Sequence, residues 1–200
     1  MVIKREHTDV RQRQIIDAAG NLICKYGSEH LTVKKIAAEV GISEAAIYCH
    51  FKSKKEILSF MLSHIEVVLL QEISRDSFGT KTVTLESIDK VFRKHFSAIG
   101  KRKGISFQVI AEIISLGDWN LNRQAFQMIE RYISRLKELL SEGIRNGAIC
   151  KDIDLDASAT LLFTFIQGLL NIWALSEGSF NVVKKYEAIW KIYRKTIAIP

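Results

Sequence analysis

A single proline, Pro200, closes a chain of 200 residues that holds only 11 glycines. A turn-rich sandwich or barrel, a collagen-like repeat and a proline-rich linker all need more of both, so long uninterrupted helices are favoured. Cysteine is sparse as well. Cys24, Cys49 and Cys150 are odd in number, scattered and never in a C-x-x-C pair, which argues against a disulfide framework and against a zinc site. A reducing cytoplasm suits that usage, and the leading MVIKREHTDVRQRQ has no apolar stretch of the kind a secretory signal needs. The most apolar segment, Leu161 to Leu175, is 15 residues long and carries Thr164, Gln167 and Asn171. It falls short of the roughly 20 apolar residues that span a bilayer, so a buried or partner-facing helix is expected and no membrane partner.

Signatures of catalysis are equally scarce. Asp152, Asp154 and Asp156 copy the first half of a calcium loop, but its sixth position is Ala157 instead of glycine and its twelfth is Phe163 instead of glutamate. No H-E-x-x-H, glycine-rich phosphate loop or G-x-S-x-G occurs, and His7, His30, His50, His64 and His95 show no ligand spacing. No metal or cofactor is expected, and no enzyme, although a site assembled from distant residues would leave no local signature.

What is present is an ordinary globular composition, 48% hydrophobic and 26% charged, with a basic excess of 29 Lys+Arg over 22 Asp+Glu. The net charge of +7 suits a polyanionic partner. The excess is denser at the front, where residues 1–55 hold 10 Lys+Arg against 6 Asp+Glu. Ile15, Ala18, Ala19, Leu22, Ile23 and Tyr26 fall at three- and four-residue steps and predict a helix from about Val10 to Tyr26. Two very short helices follow, about Val33 to Val40 and Glu44 to His50. A long one opens at Ser53-Lys54-Lys55-Glu56, an S-x-x-E capping box, and should run to about Asp76. Polar, glycine-bearing Ser77 to Thr84 is the expected boundary before further helices near 85–101, 105–116, 120–146, 156–176 and 181–197.

Ala37, Gly41 and Ile47 stand four and then six residues apart. Two helices crossing through a tight turn need a small residue where they touch, a glycine where φ is positive, and a branched apolar residue on the second helix to close the core. Ile36, Val40 and Ile42 complete the seam, with Thr32 and Ser43 placed to cap the two short helices. This is a helix-turn-helix joined to the first helix as a tri-helical unit.

The run LTVKKIAAEVGISEAAIYCHFKSKKEIL, Leu31 to Leu58, resembles the amino-terminal signature of the tetracycline-repressor (TetR) family of bacterial transcriptional regulators. Thr32, Ile36-Ala37, Gly41, Ser43, Ile47-Tyr48, His50-Phe51, Lys52, Ser53-Lys54 and Leu58 all sit at the family's spacing, and NGAICKDIDLDASA, Asn146 to Ala159, is similar to a common carboxy-terminal stretch. The resemblance implies an all-α protein of about nine helices, with a helix-turn-helix DNA-binding domain over 1–52 and an effector-binding and dimerisation domain over 53–200. It implies a homodimer whose recognition helices, Ser43 to Cys49, enter successive major grooves of a palindromic operator. Tyr48 and Lys54 would bind the DNA backbone, Thr32 and Lys34 would flank it, Lys52 would add charge and His50 would pack near the groove wall. Base reading would fall to Glu44, Ala45 and Ala46, with Ser43 able to reach a phosphate or a base. Many relatives have a basic or neutral residue at the position of Glu44 and glycine at that of Ala45. A carboxylate accepts from cytosine N4 and alanine methyls touch the thymine methyl, so sparse direct readout is expected, with DNA shape supplying the rest.

In the second part, Phe92, Phe96, Phe107, Ile110, Ile113, Ile114, Trp119, Phe126 and Ile129 concentrate apolar bulk. Core packing is the default for any one of them. A family-like pocket for a largely apolar small molecule would lie among these residues, oriented by His95, Gln108, Asn122 and Gln167. Phe163, Phe165, Ile166, Leu169, Leu170, Ile172, Trp173, Ile189, Trp190 and Tyr193 hold more apolar surface than two terminal helices hide in one chain. By the resemblance these helices would pair with their copies in a four-helix dimer interface, with Phe163, Ile166, Leu170, Trp173, Ile189, Trp190 and Tyr193 as the expected dimer face. The combined expectation is a cytoplasmic repressor released by its effector. The alternatives are a helical protein–protein interaction module without DNA binding, and a helical enzyme with a pocket in the second part.

Overall fold

The structure, a computed structural model, describes residues 2–27, 30–74, 82–102 and 105–199; the side chains of 2–7, 24, 98–102, 105 and 107 are outside this description. Among the described residues there are nine helices and no strand: α1 (Val2–Tyr26), α2 (Val33–Val40), α3 (Glu44–Tyr48), α4 (Lys54–Glu72), α5 (Leu85–Arg102), α6 (Ile105–Leu116), α7 (Trp119–Arg145), α8 (Leu155–Leu175) and α9 (Val182–Ile197). Helix α1 begins eight residues before the expected Val10. Its apolar stripe ends at Ile15, but the polar run before it contains no glycine or proline to stop a helix. Helix α3 stops at Tyr48, short of His50, where the His50 amide tightens to an i−3 bond with Ile47 O at 2.9 Å. Helix α4 ends at Glu72, and most of the expected 77–84 boundary lies outside the described residues.

The chain forms two compact units, each drawn from two separate stretches of sequence. Unit 1 comprises Met1–Ile65 and Ile105–Phe126; unit 2 comprises Glu66–Gly104 and Gln127–Pro200. The physical reason is the apolar face of α6, Val109 and Ile113, which is buried in unit 1, where α6 packs against α1. The core of unit 1 is mostly aliphatic: Ile15, Ala19, Ile23, Leu31, Ile36, Ile47, Ile57, Leu58 and Leu62, with Phe51 as its buried aromatic ring.

Unit 2 is built on aromatic stacking. Helix α9 packs against α5 and α8. Phe96 of α5 stacks on Tyr186 of α9 with ring centroids 4.7 Å apart, and Trp190 and Tyr193 continue the stack along α9. The Tyr186 hydroxyl donates to Asp89 Oδ1 at 3.1 Å, and burial beside that carboxylate pushes the phenol far above the ordinary tyrosine range. The Tyr193 hydroxyl donates to the Ser158 carbonyl at 3.0 Å. The calcium-like aspartates serve a helix end: Asp154 caps α8, accepting from the Ala157 amide at 2.9 Å, and Asp156 lies in its first turn. By length and composition α8 is apolar enough to cross a membrane; here Ala159, Leu162, Ile166, Leu169 and Leu170 bury one of its faces in the core of unit 2.

Candidate nucleic-acid interface and effector region

The helix-turn-helix forms as its residues dictate. Thr32 is extended at φ −123° and its hydroxyl accepts from the Lys35 amide at 3.2 Å, starting α2. Gly41 ends α2 in the left-handed region at φ 76°, its amide donating to Ala38 O while the Ile42 amide returns to Ala37 O. A Cβ at Gly41 would meet nothing within 4 Å, so the turn requires glycine for its dihedral angle and not for space. Ser43 then caps α3, accepting from the Ala46 amide at 3.2 Å. Ile36, Ala37 and Ile47 close the seam, all buried.

Burying that seam turns the other side of α3 outward. Ser43, Glu44 and Ala45 are exposed, Ala46 is half-buried, and the Tyr48 ring is 53% exposed. Thr32, Lys34 and Lys52 are exposed as well, and Lys35 Nζ lies 2.8 Å from His30 Nδ1. His50 is half-buried, its Nδ1 enclosed without a hydrogen-bond partner. Nine of the ten residues expected at a DNA interface are thus at least partly exposed in unit 1 without an acid on the side chain. The tenth, Lys54, is engaged: its Nζ lies 2.7 Å from Glu112 Oε1 of α6. Lys55 pairs with Asp118 at 2.6 Å, and this carboxylate also accepts from the Leu121 amide at the start of α7. Both contacts hold the Asp118 carboxyl below the usual range. Sequence reasoning missed Glu112 and Asp118, since pairs about 60 residues apart leave no local pattern.

The twelve effector candidates are divided between the units. Phe92 and Phe96 are fully buried in the core of unit 2, which is the default role of such residues. His95, 7% exposed, is bonded through Nδ1 to Glu72. Ile129 is half-buried, and Gln167 donates to Asn171 on its own helix at 3.2 Å. In unit 1, Gln108 is half-buried with its Oε1 unpartnered, Ile110 and Asn122 are half-buried, and Ile114, Trp119 and Phe126 are well exposed. Phe107 lies outside the described side chains.

The residues expected at the dimer face all belong to unit 2. Ile166, Leu170, Trp190 and Tyr193 are buried within unit 2, and Phe163, Trp173 and Ile189 are partly buried against the same core. The packing of α8 and α9 takes up part of their apolar surface. The apolar surface left outside is carried by Leu161, Ile172 and Leu175 on α8 and Ile192 on α9, 50 to 80% exposed. Gly168 shares the α8 stripe, and a Cβ there would meet nothing within 4 Å, so no neighbour in this chain explains it.

Two family models together match most of the chain: residues 15–59 match "Bacterial regulatory proteins, tetR family" and residues 66–196 match "YsiA-like protein, C-terminal region". The chain belongs to the TetR family of bacterial regulatory proteins. This TetR-family protein is 25% identical over 170 residues to the fatty acid metabolism regulator protein of Bacillus subtilis (strain 168), covering 85% of this chain and 87% of that one. It is also 25% identical over 183 residues to the nucleoid occlusion factor SlmA of Vibrio atlanticus (strain LGP32), covering 91% and 93%. In fold it is similar to the transcriptional regulator FadR of Bacillus subtilis in complex with stearoyl-CoA, with a TM-score of 0.78 and 23% identity over 90% of this chain and 96% of that one. It is a DNA-binding transcriptional regulator.

Proposed function

We propose that this TetR-family regulator is a cytoplasmic repressor of lipid-metabolism genes, released from its operator by a long-chain fatty acyl thioester. The observation that carries the reading is the outward face of α3, a capped recognition helix whose own core leaves Glu44, Ala45 and Tyr48 facing solvent. Ser43, Glu44, Ala45 and Ala46 read bases sparsely. Thr32, Lys34, Tyr48, Lys52 and Lys54 hold phosphates, and His50 packs beside them. The likeness to the Bacillus fatty acid regulator across most of both chains supports an acyl effector. An apolar tail suits the aromatic and aliphatic side chains expected to line the effector site. Two subunits pair through the Leu161–Gly168–Ile172–Leu175 stripe, where the glycine allows close approach of the second copy's helix.

The effector acts by shifting α4 and with it the spacing of the two recognition helices. A coupling of about 1 to 3 kcal/mol lowers operator affinity roughly 5- to 150-fold. The protein is a binding switch and performs no turnover. The test is fluorescence-anisotropy displacement of labelled operator by acyl-CoAs of increasing chain length. Release that strengthens with chain length supports the proposal. Release by polar or strongly anionic compounds alone, with free CoA as potent as its acyl form, rejects it.

A further inference from the structure

Lys54 and Lys55 open α4, where the helix dipole disfavours cations, so their presence there needs a compensating anion. The protein supplies one for each. Among the described residues Glu112 is the one acid that is buried, on the same face of α6 as Val109 and Ile113, and its carboxylate lies 2.7 Å from Lys54 Nζ. The Lys54 side chain keeps 28% of its surface, so the ammonium stands between an enclosed carboxylate and water. Asp118 holds Lys55 alongside it at 2.6 Å. Every other residue expected at the DNA face leaves its side chain without an acidic partner. The lysine that the family's pattern assigns to a phosphate is the one that this chain neutralises itself.

We propose that Glu112 is an internal stand-in for a DNA phosphate: it competes with the operator backbone for Lys54 and so lets α6 set how tightly the start of α4 grips DNA. Without DNA, the carboxylate holds the ammonium. With DNA, a phosphate must win the ammonium from Glu112, which then loses its cation in an apolar setting and resists the transfer. A movement of α6 that draws Glu112 towards Lys54 weakens the grip, and one that withdraws it strengthens the grip. Glu112 is thus a positioning residue that reaches DNA only through Lys54. The inference rests on the DNA-binding reading of this face.

The test uses the full-length protein and a labelled mixed-sequence duplex, with affinity measured across a range of salt concentrations. Glu112→Gln keeps the shape and removes the charge. Glu112→Met offers an apolar chain of similar length to the same face and guards against a folding failure of the amide variant. Either folded variant should bind about three- to tenfold tighter near physiological salt. The slope of log affinity against log salt should steepen by about 0.9 for each lysine released, or about 2 for a dimer. Adding Lys54→Met to either variant should remove both gains. A merely structural pair would change the melting temperature and leave the slope alone. Unchanged or weaker binding with an unchanged slope, in a variant that melts like the wild type, overturns the proposal. Salt-independent binding by the wild type would instead overturn the DNA-binding reading beneath it.

Discussion

Unit 1 has an almost wholly aliphatic core and three short or capped helices, while unit 2 has a stack of rings through Phe96, Tyr186, Trp190 and Tyr193. In unit 1 the residues that fix the fold and those left to solvent alternate within a few positions: Ile47 is buried, and Tyr48 beside it is exposed. In unit 2, Phe92, Phe96, Trp190 and Tyr193, which look functional in sequence, all lie in the core. Where a fold is local, function can be read from the residues left over. Where it is long-range, the same residue types are spent on packing.

The comparison breaks first at Phe96. Phe96→Ala should cost about 3 to 5 kcal/mol, because it empties a fully buried site and removes a stacking partner of Tyr186. Chemical denaturation checks this, and a loss under about 1 kcal/mol would mean that the aromatic stack is not what holds unit 2. Next, Ile172→Glu places a carboxylate on the outer stripe of α8 at a site 59% exposed in the single chain. It should weaken self-association by about 3 kcal/mol while leaving each chain folded, as read by sedimentation and circular dichroism. An unchanged dimer would move the interface elsewhere.

Gly41→Ala should cost about 1 to 2 kcal/mol through its φ of 76° alone, with DNA affinity falling more than the stability of unit 2. Tyr48→Ala should lower affinity about tenfold, roughly 1.4 kcal/mol, with an unchanged melting temperature because half the ring is already in water. A large stability loss there would make Tyr48 a core residue after all. The smallest effect is acidic. Because the folded Asp118 carboxyl is held below its ordinary value of 3.8, the Lys55 and Leu121 ties are fully present above that value and are lost as pH falls through the depressed one. Acid titration followed by tryptophan fluorescence should show a transition below about pH 3.8 that Asp118→Asn removes.

Much of this was legible from the sequence. The boundaries of α2, α5, α6, α7, α8 and α9 fall within two residues of those expected, because glycine ends and apolar periods are local signals. The caps at Thr32 and Ser43 form as their positions require. Which face of α8 the chain itself covers was not legible, because its apolar residues spread over more than one face and their pattern does not say which of them the core takes. The engagement of Lys54 by Glu112 was invisible because it depends on how α6 returns to α4.

The most direct test of the account is to bind the wild type and Tyr48→Ala to a pool of duplexes from the DNA flanking the gene, at low and at physiological salt, and to sequence what is retained. The account predicts that the wild type enriches one palindrome, with affinity falling steeply as salt rises, and that Tyr48→Ala keeps the sequence preference at lower affinity. Sequence-blind retention, insensitive to salt and to Tyr48, would contradict it.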